Sequence, residues 1–279
     1  MLLHHFFRIV VFSVVLLRSS GWGQEAPAPA PERAVPLAQL TPDEVGAAVV
    51  LSPTSLPSPP EWFRAISSEG KPRWRQIYRE PSGNAVVDRH KAALALGARM
   101  TDAFIAVEAR GSQEVRNVLL EARAFEMTLG IAEKMQKRSH RIGDLADNEQ
   151  WAALRLELEY SILEEEALLR EQLDLPLAEL VQIGSLVRAI NAGCDIVEDL
   201  KLEDLSMCIG DVTLIIHLIK TVEALPKLVL QVRAVRDLRR CLKEVRDIWL
   251  ASPAEPPVNK VGAVRDATRS FLDSLTQNE

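Results

Sequence analysis

From residue 84 onward, apolar positions recur at helical spacing in one segment after another, and no stretch alternates as a half-buried strand would. The densest segment, 85–109, is apolar nearly all round between Ala92 and Val107, broken only by Arg99, Thr101 and Asp102. A helix without a wet face is a buried, central one. Gly97 and the alanines around it let a neighbouring helix approach closely. Gly111-Ser112 ends this helix and caps the next over 113–129, with Glu114 in its first turn. A further helix is expected from Ile131 to about Asp147. Asn148 then caps a longer one, in which Trp151, Leu154, Leu158 and Ile162 stand opposite an acidic face of Glu157, Glu164, Glu165 and Glu171.

Pro176 lies in the first turn of a helix reaching about Glu198, and another is expected over Asp204–Leu225. Its run from Leu214 to Ile219, which includes His217, reads as buried all round. After Pro226, Leu228, Val232, Val235, Leu238, Leu242, Val245 and Trp249 step by threes and fours, the spacing of a packing seam. Prolines break the chain at 252–257, and a last amphipathic helix is expected over 259–275.

The N-terminal part has a different texture. Residues 1–23 carry a weakly basic start, an apolar core from Ile9 to Leu17 and small residues from Ser19 to Gly23. That order is a secretory signal peptide. Arg18 directly after the core, where a positive charge resists translocation, and the single certain charge before it, Arg8, weigh against that reading, whose rivals are a retained anchor and a misassigned start. The first cysteine is Cys194, so a lipid anchor on a new N-terminal cysteine is not expected. Residues 24–59 form a Pro/Ala-rich tether with one short helix over 42–50, started by Thr41-Pro42-Asp43-Glu44. Trp62, Phe63, Trp74 and Tyr78 then mark two short helical pieces. An arm stapled to the bundle by its aromatics is the plain reading, and a ligand-stacking platform the sharper one. The sequence therefore predicts an all-α protein: a single multi-helix bundle of about eight helices over 60–279, with an aromatic-rich arm and no sheet.

Composition narrows the partners. The net charge of −6 becomes −8 once 1–23 is removed, which does not suit a coat for nucleic acid or anionic membrane. Hydrophobic content of 47% with 26% charged residues fits a soluble globular domain with no span after signal removal, and 5% aromatics favours helix over sheet. The expected location is outside the cytoplasm, periplasmic or secreted.

Recognisable enzyme spacings are missing. The chain has no His-Glu-x-x-His, no Cys-x-x-Cys-His, no phosphate-binding glycine loop and no Gly-x-Ser-x-Gly. The residues three before His90, His140 and His217 are Val87, Lys137 and Leu214, so the Glu-x-x-His of a di-iron bundle is also missing. His90 and His140 stand in charged strings and read as surface, whereas His217 reads as a core histidine. No catalytic residue, metal ligand or cofactor is assigned. The acidic run Asp195, Glu198, Asp199, Glu203 and Asp204 lacks the donor spacing and glycine of a calcium loop and reads as solvated helix-turn charge.

Three residue groups remain as candidates. Arg99 and Asp102, three apart on the most apolar helix, are expected to pair; their sharper reading is a polar pocket with Arg99 anchoring a small anion. Arg233, Arg236, Arg240 and Lys243 form a basic stripe beside the packing seam. It is expected to meet the glutamate-rich 157–171 face or solvent, or else to contact an anionic partner. Cys194 and Cys208 lie at equal distances from Lys201, the expected turn of a helix hairpin, which makes them a candidate disulfide.

The stretch from Lys71-Pro72-Arg73-Trp74 through Leu94-Ala95-Leu96-Gly97 to Asp102-Ala103-Phe104-Ile105-Ala106-Val107-Glu108 resembles a set of exported, all-helical bacterial proteins of unassigned activity. The resemblance covers roughly residues 70–160, implies export and helicity, and transfers no functional residue. Two functions follow from different classes. One is a non-enzymatic cell-envelope interaction or scaffold module, whose partner is another envelope protein or an anionic envelope polymer. The alternative is a small-molecule binder or enzyme with a polar site around Arg99 and Asp102.

Overall fold

A computed structural model describes residues 58–201, 212–251 and 257–277. The signal segment, nearly all of the tether with its short helix over 42–50, and Cys208 lie outside the described residues. Ten α-helices and two short 3₁₀ turns, with no strand among the described residues, make the protein all-α. They are α1 (Pro59–Glu69), α2 (Trp74–Ile77), α3 (Arg89–Glu108), α4 (Ser112–Leu129) and α5 (Ala132–Asp147). After them come α6 (Trp151–Glu171), α7 (Leu175–Leu200), α8 (Val212–Glu223), α9 (Arg233–Leu250) and α10 (Val261–Ser274).

The interior is organised by α3 and α7, which share the largest interface in the bundle. Every residue of α3 from Ala92 to Val107 is buried, as the missing polar face predicted. Close approach comes from a glycine on each helix. A Cβ built on Gly97 would overlap the backbone carbonyl of Val181, and one on Gly184 would overlap that of Leu94. On α3, Leu94, Leu96, Phe104 and Ile105 are buried in the core, each ~1.5–3 kcal/mol of hydrophobic transfer. An 18-residue window of α7 is long and apolar enough to span a membrane, and 89% of it is buried in the bundle instead.

Around this pair, α4, α5 and α6 follow as a run of neighbours, with α6 returning to both α3 and α7. On α7 also lies α10, which carries α9, and α9 carries α8. The arm is held as expected. Phe63 is 1% exposed and meets Trp74 edge to face, with ring centroids 5.3 Å apart.

Local signals set the ends. The Asp88 carboxylate accepts from the Lys91 amide at 2.8 Å and caps α3, while Gly130, at φ 78°, ends α4 in the left-handed region. Lys260, 7% exposed, donates its ammonium to the Trp249 and Ala251 carbonyls and closes the C-terminus of α9.

Four local expectations are corrected. Asn148 closes α5 through its side-chain amide to the Asp144 carbonyl rather than capping α6, which begins at Trp151 after Glu149 turns left-handed. Leu228 is 79% exposed: after Pro226 a 3₁₀ turn takes up Val229–Gln231, so α9 enters register only at Arg233. α8 is amphipathic rather than buried all round. Leu214, Ile215, Leu218, Ile219 and Val222 face inward while His217 is exposed. On α6, two members of the supposed acidic solvent face, Glu157 and Glu165, are buried, because α3, α5 and α7 all pack against this helix.

Candidate functional site

A shallow, open groove of about 790 Å³ runs along α9, lined by Arg236, Arg239, Arg240, Lys243, Glu244, Asp247, Ile248 and Ala251. Helical periodicity produces it: Val235, Leu238, Leu242, Val245 and Trp249 take the buried seam and leave the bases on the other side. Arg239 and Lys243 each pair with Glu223 of α8, at 3.3 and 3.0 Å. Those contacts, the Lys243 hydrogen bond first, hold the Glu223 carboxyl below its ordinary range. Arg240 leans on Asp237 at 2.8 Å with 76% of its side chain still exposed. Arg236 is exposed and has no ion pair among the described residues. Four bases against Glu244 and Asp247 leave the lining at a formal +2 on a chain whose sum is −6. The structure thus places Arg236, Arg240 and Lys243 on one groove and adds Arg239, which the seam-based stripe omitted. Arg233 lies one turn before it and faces Asp237 at 3.9 Å.

The expected meeting of this stripe with the 157–171 face is not what the structure shows. Glu157 and Glu164 are held from α5 instead, by Arg138 and Arg141, because α5 and not α9 is the neighbour of α6.

Arg99 and Asp102 pair at 3.1 Å inside a larger buried cluster. Asp102 Oδ1 accepts from Arg188 Nε at 2.8 Å, and the Arg188 guanidinium also donates to the Ile77 carbonyl at 2.6 Å and Asn191 Oδ1 at 3.1 Å. Asn191 passes the network on to Thr268 Oγ1 and the Arg265 carbonyl. Arg99 Nη1 donates to the Arg79 carbonyl at 2.8 Å, and its Nε lies 2.5 Å from Glu121 Oε2. That last contact is too bent for a directed hydrogen bond, so charge alone holds this oxygen, while Glu121 Oε1 accepts from Ser82. Two arginines and two carboxylates balance. The buried side chains are spent on one another and on backbone of α2 and the segment after it, which fixes the arm to the core. The cluster reaches Arg79, whose guanidinium burial, followed by the nearby Arg188, makes easier to deprotonate than usual.

A second buried polar group has the opposite character. Glu126 of α4 is 3% exposed and Glu165 of α6 is fully buried, and Oε2 of each has no hydrogen-bond partner. Ser161 donates to Glu165 Oε1 at 3.1 Å. Burial pushes Glu126 up to about 7, with Arg123 opposing, and holds Glu165 well above the carboxylate range, with the charge of Glu126 adding to the rise. Sequence reading missed this pair. The only signal was acids at buried helical phases, Glu126 one residue after Phe125 and Glu165 four after Ser161.

The remaining candidates sort simply. His140 and His217 are exposed, and His90 lies 3.8 Å from Asp88 at a helix start. Cys194 and Cys241 are buried thiols; burial raises both, Cys241 to about 12, which removes thiolate reactivity. Cys208, the expected partner of Cys194, lies outside the described residues. In the acidic run, Asp195 pairs with Arg269, Glu198 with Arg265 and Asp199 with Arg73, so these charges tie α7 to α10 and to the arm rather than to solvent alone. The Arg73 hydrogen bond holds the Asp199 carboxyl below its usual range. No three His, Cys, Asp or Glu side chains are grouped to hold a metal among the described residues. No protein-family model, curated protein or solved structure matches the chain.

Proposed function

We propose that this chain is a non-enzymatic interaction module, exported to the cell envelope, that works by contact between the α9 groove and an anionic partner there, a protein or a polymer. The observation that carries the reading is the groove itself: four cationic side chains, outnumbering Glu244 and Asp247, lie with Ile248 and Ala251 along one helix of an acidic protein. Exposed guanidiniums beside apolar surface suit recognition of carboxylate- or phosphate-bearing chains. The support for export is the order of residues 1–23, and the tether after it gives the domain reach. Arg99 and Asp102 favour no ligand site, since both are engaged by protein groups.

The test is affinity capture of the tagged mature protein from its native envelope, followed by mass spectrometry and polymer analysis of the eluate. Changing Arg233, Arg236 and Arg240 together to Glu is expected to abolish capture, and raised salt is expected to weaken it in the unaltered protein. Capture that survives both treatments would remove α9 as the contact surface.

A further inference from the structure

The charges along the α9 groove follow an order that an even polyanion does not match. Its four bases lie between Arg236 and Lys243, its two acids, Glu244 and Asp247, come next, and Ile248 and Ala251 stand at the far end. From Arg236 to Ala251 the helix rises about 22 Å. A chain bearing only negative charge suits the first half of that length and is repelled along the second. An occupant of the whole groove must be anionic against the bases, cationic against the acids, and apolar or small where long arginine stems lie. Read backwards, α9 has that order itself. About a midpoint between Lys243 and Glu244, Arg240 is the mirror position of Asp247 and Lys243 of Glu244, while Arg239 mirrors Ile248 and Arg236 mirrors Ala251.

We propose that a second copy of this chain lays its own α9 antiparallel into the groove, forming a two-fold dimer that covers the bases used for the anionic partner. The inference rests on the reading of α9 as the contact surface and adds its regulation. A two-fold axis through the midpoint makes every contact twice. It sets Arg240 against Asp247 of the other copy and Lys243 against Glu244. Arg236, Arg240, Lys243, Asp247 and Ala251 recur by threes and fours, so they share one face of the helix. At the ends, the stems of Arg236 and Arg239 lie over Ala251 and Ile248 of the other copy, with their charged heads at the wet rim.

The facing groups have room for these contacts. Among the described residues Arg240 is tied only to Asp237, three positions away, and Asp247 only to its chain neighbour Arg246. Glu244 and Arg236 are exposed, with no ion pair among the described residues. Net charge does not oppose the approach. Glu223 and Asp237 at the groove's edge join Glu244 and Asp247 to set four acids against the four lining bases. A single helix pair buries little surface, so the dimer belongs to the weak, concentration-dependent class. An anionic partner that binds the open groove draws it apart by mass action.

The experiment follows the weight-average mass of the full mature chain by sedimentation equilibrium over about a hundredfold range of concentration. The unaltered protein is expected to rise from the monomer mass toward twice that value, with a smaller rise in raised salt. Arg240→Asp sets like charges against Asp247 at both contacts, and Asp247→Arg does the same against Arg240, so each variant alone is expected to stay monomeric. An equimolar mixture of the two restores opposite charges at both contacts and is expected to form the dimer again. Both positions are exposed, and circular dichroism checks that both variants fold. Should one fold poorly, the double change Arg240→Asp with Asp247→Arg in a single chain gives the same restoration. An unaltered protein that stays monomeric throughout, single variants that associate as it does, or a restored pair that remains monomeric would overturn the proposal. Capture of the envelope partner is scored apart from mass. An unaltered chain that is monomeric yet needs Arg236 and Arg240 for capture refutes the dimer alone. A dimer whose capture ignores those arginines refutes the anionic-partner reading alone.

Discussion

The arginines of α3 and α7 and those of α9 are the same side chain used in opposite ways. Arg99 and Arg188 are buried and spend their donors on Asp102, Glu121, Asn191 and two backbone carbonyls. Arg236 and Arg240 ride on a packed helix and are exposed, Arg240 over 76% of its side chain. The difference separates side chains committed to the fold from those with donors left over. A guanidinium whose donors are all used inside the protein holds the fold and offers a ligand nothing. A guanidinium with donors to spare contributes little to folding and is available to a partner.

The largest test of this contrast is in the interior. Asp102→Ala leaves two buried guanidiniums sharing fewer acceptors and is expected to cost about 3–5 kcal/mol of folding stability, measured by chemical denaturation. The arm should detach early in the same variant, because Arg99 and Arg188 hold the carbonyls of Arg79 and Ile77. A quench or shift of Trp62 and Trp74 fluorescence below the main transition would report it.

Gly97→Ala probes the contact on which that cluster is built. The added methyl meets the Val181 carbonyl, a backbone atom that cannot rotate away, so α3 and α7 must separate. A loss of about 3 kcal/mol is expected, at the upper end for overpacking. Gly143→Ala, where a Cβ meets nothing, serves as the contrasting control and is expected to stabilise α5 slightly.

Smaller again is Lys260→Met. It removes an ammonium from the Trp249 and Ala251 carbonyls at the end of α9 and keeps the apolar stem. Loss of about 1–2 kcal/mol is expected, with hydrogen exchange rising first in the last turn of α9.

The helices were legible because period and caps are local properties of the chain. The unbroken apolar run of α3 announced its burial, and Gly97 announced the close approach. Gly184 and Arg188 were not identified, since what they meet lies on another helix and carries no local mark. The same reason hid the partners of the α9 bases. Sequence showed a stripe, but whether Glu223 or Glu157 faced it depended on which helix packed beside it. Glu126 and Glu165 were the hardest to see. On a helix rich in glutamates, an acid at a buried phase looks like its neighbours until three other helices close over it.

The most direct test sets an interior and a surface substitution side by side. Asp102→Asn keeps the shape of the buried cluster while weakening its charge, and the triple change of Arg233, Arg236 and Arg240 to Glu reverses the α9 face. Both variants and the unaltered protein would be compared for partner capture at a temperature where all three remain folded by circular dichroism. The account predicts that capture is lost with the α9 change, whose melting temperature stays at that of the unaltered protein, and is retained by Asp102→Asn despite its lower one. Capture that follows Asp102 and ignores the α9 arginines would contradict it.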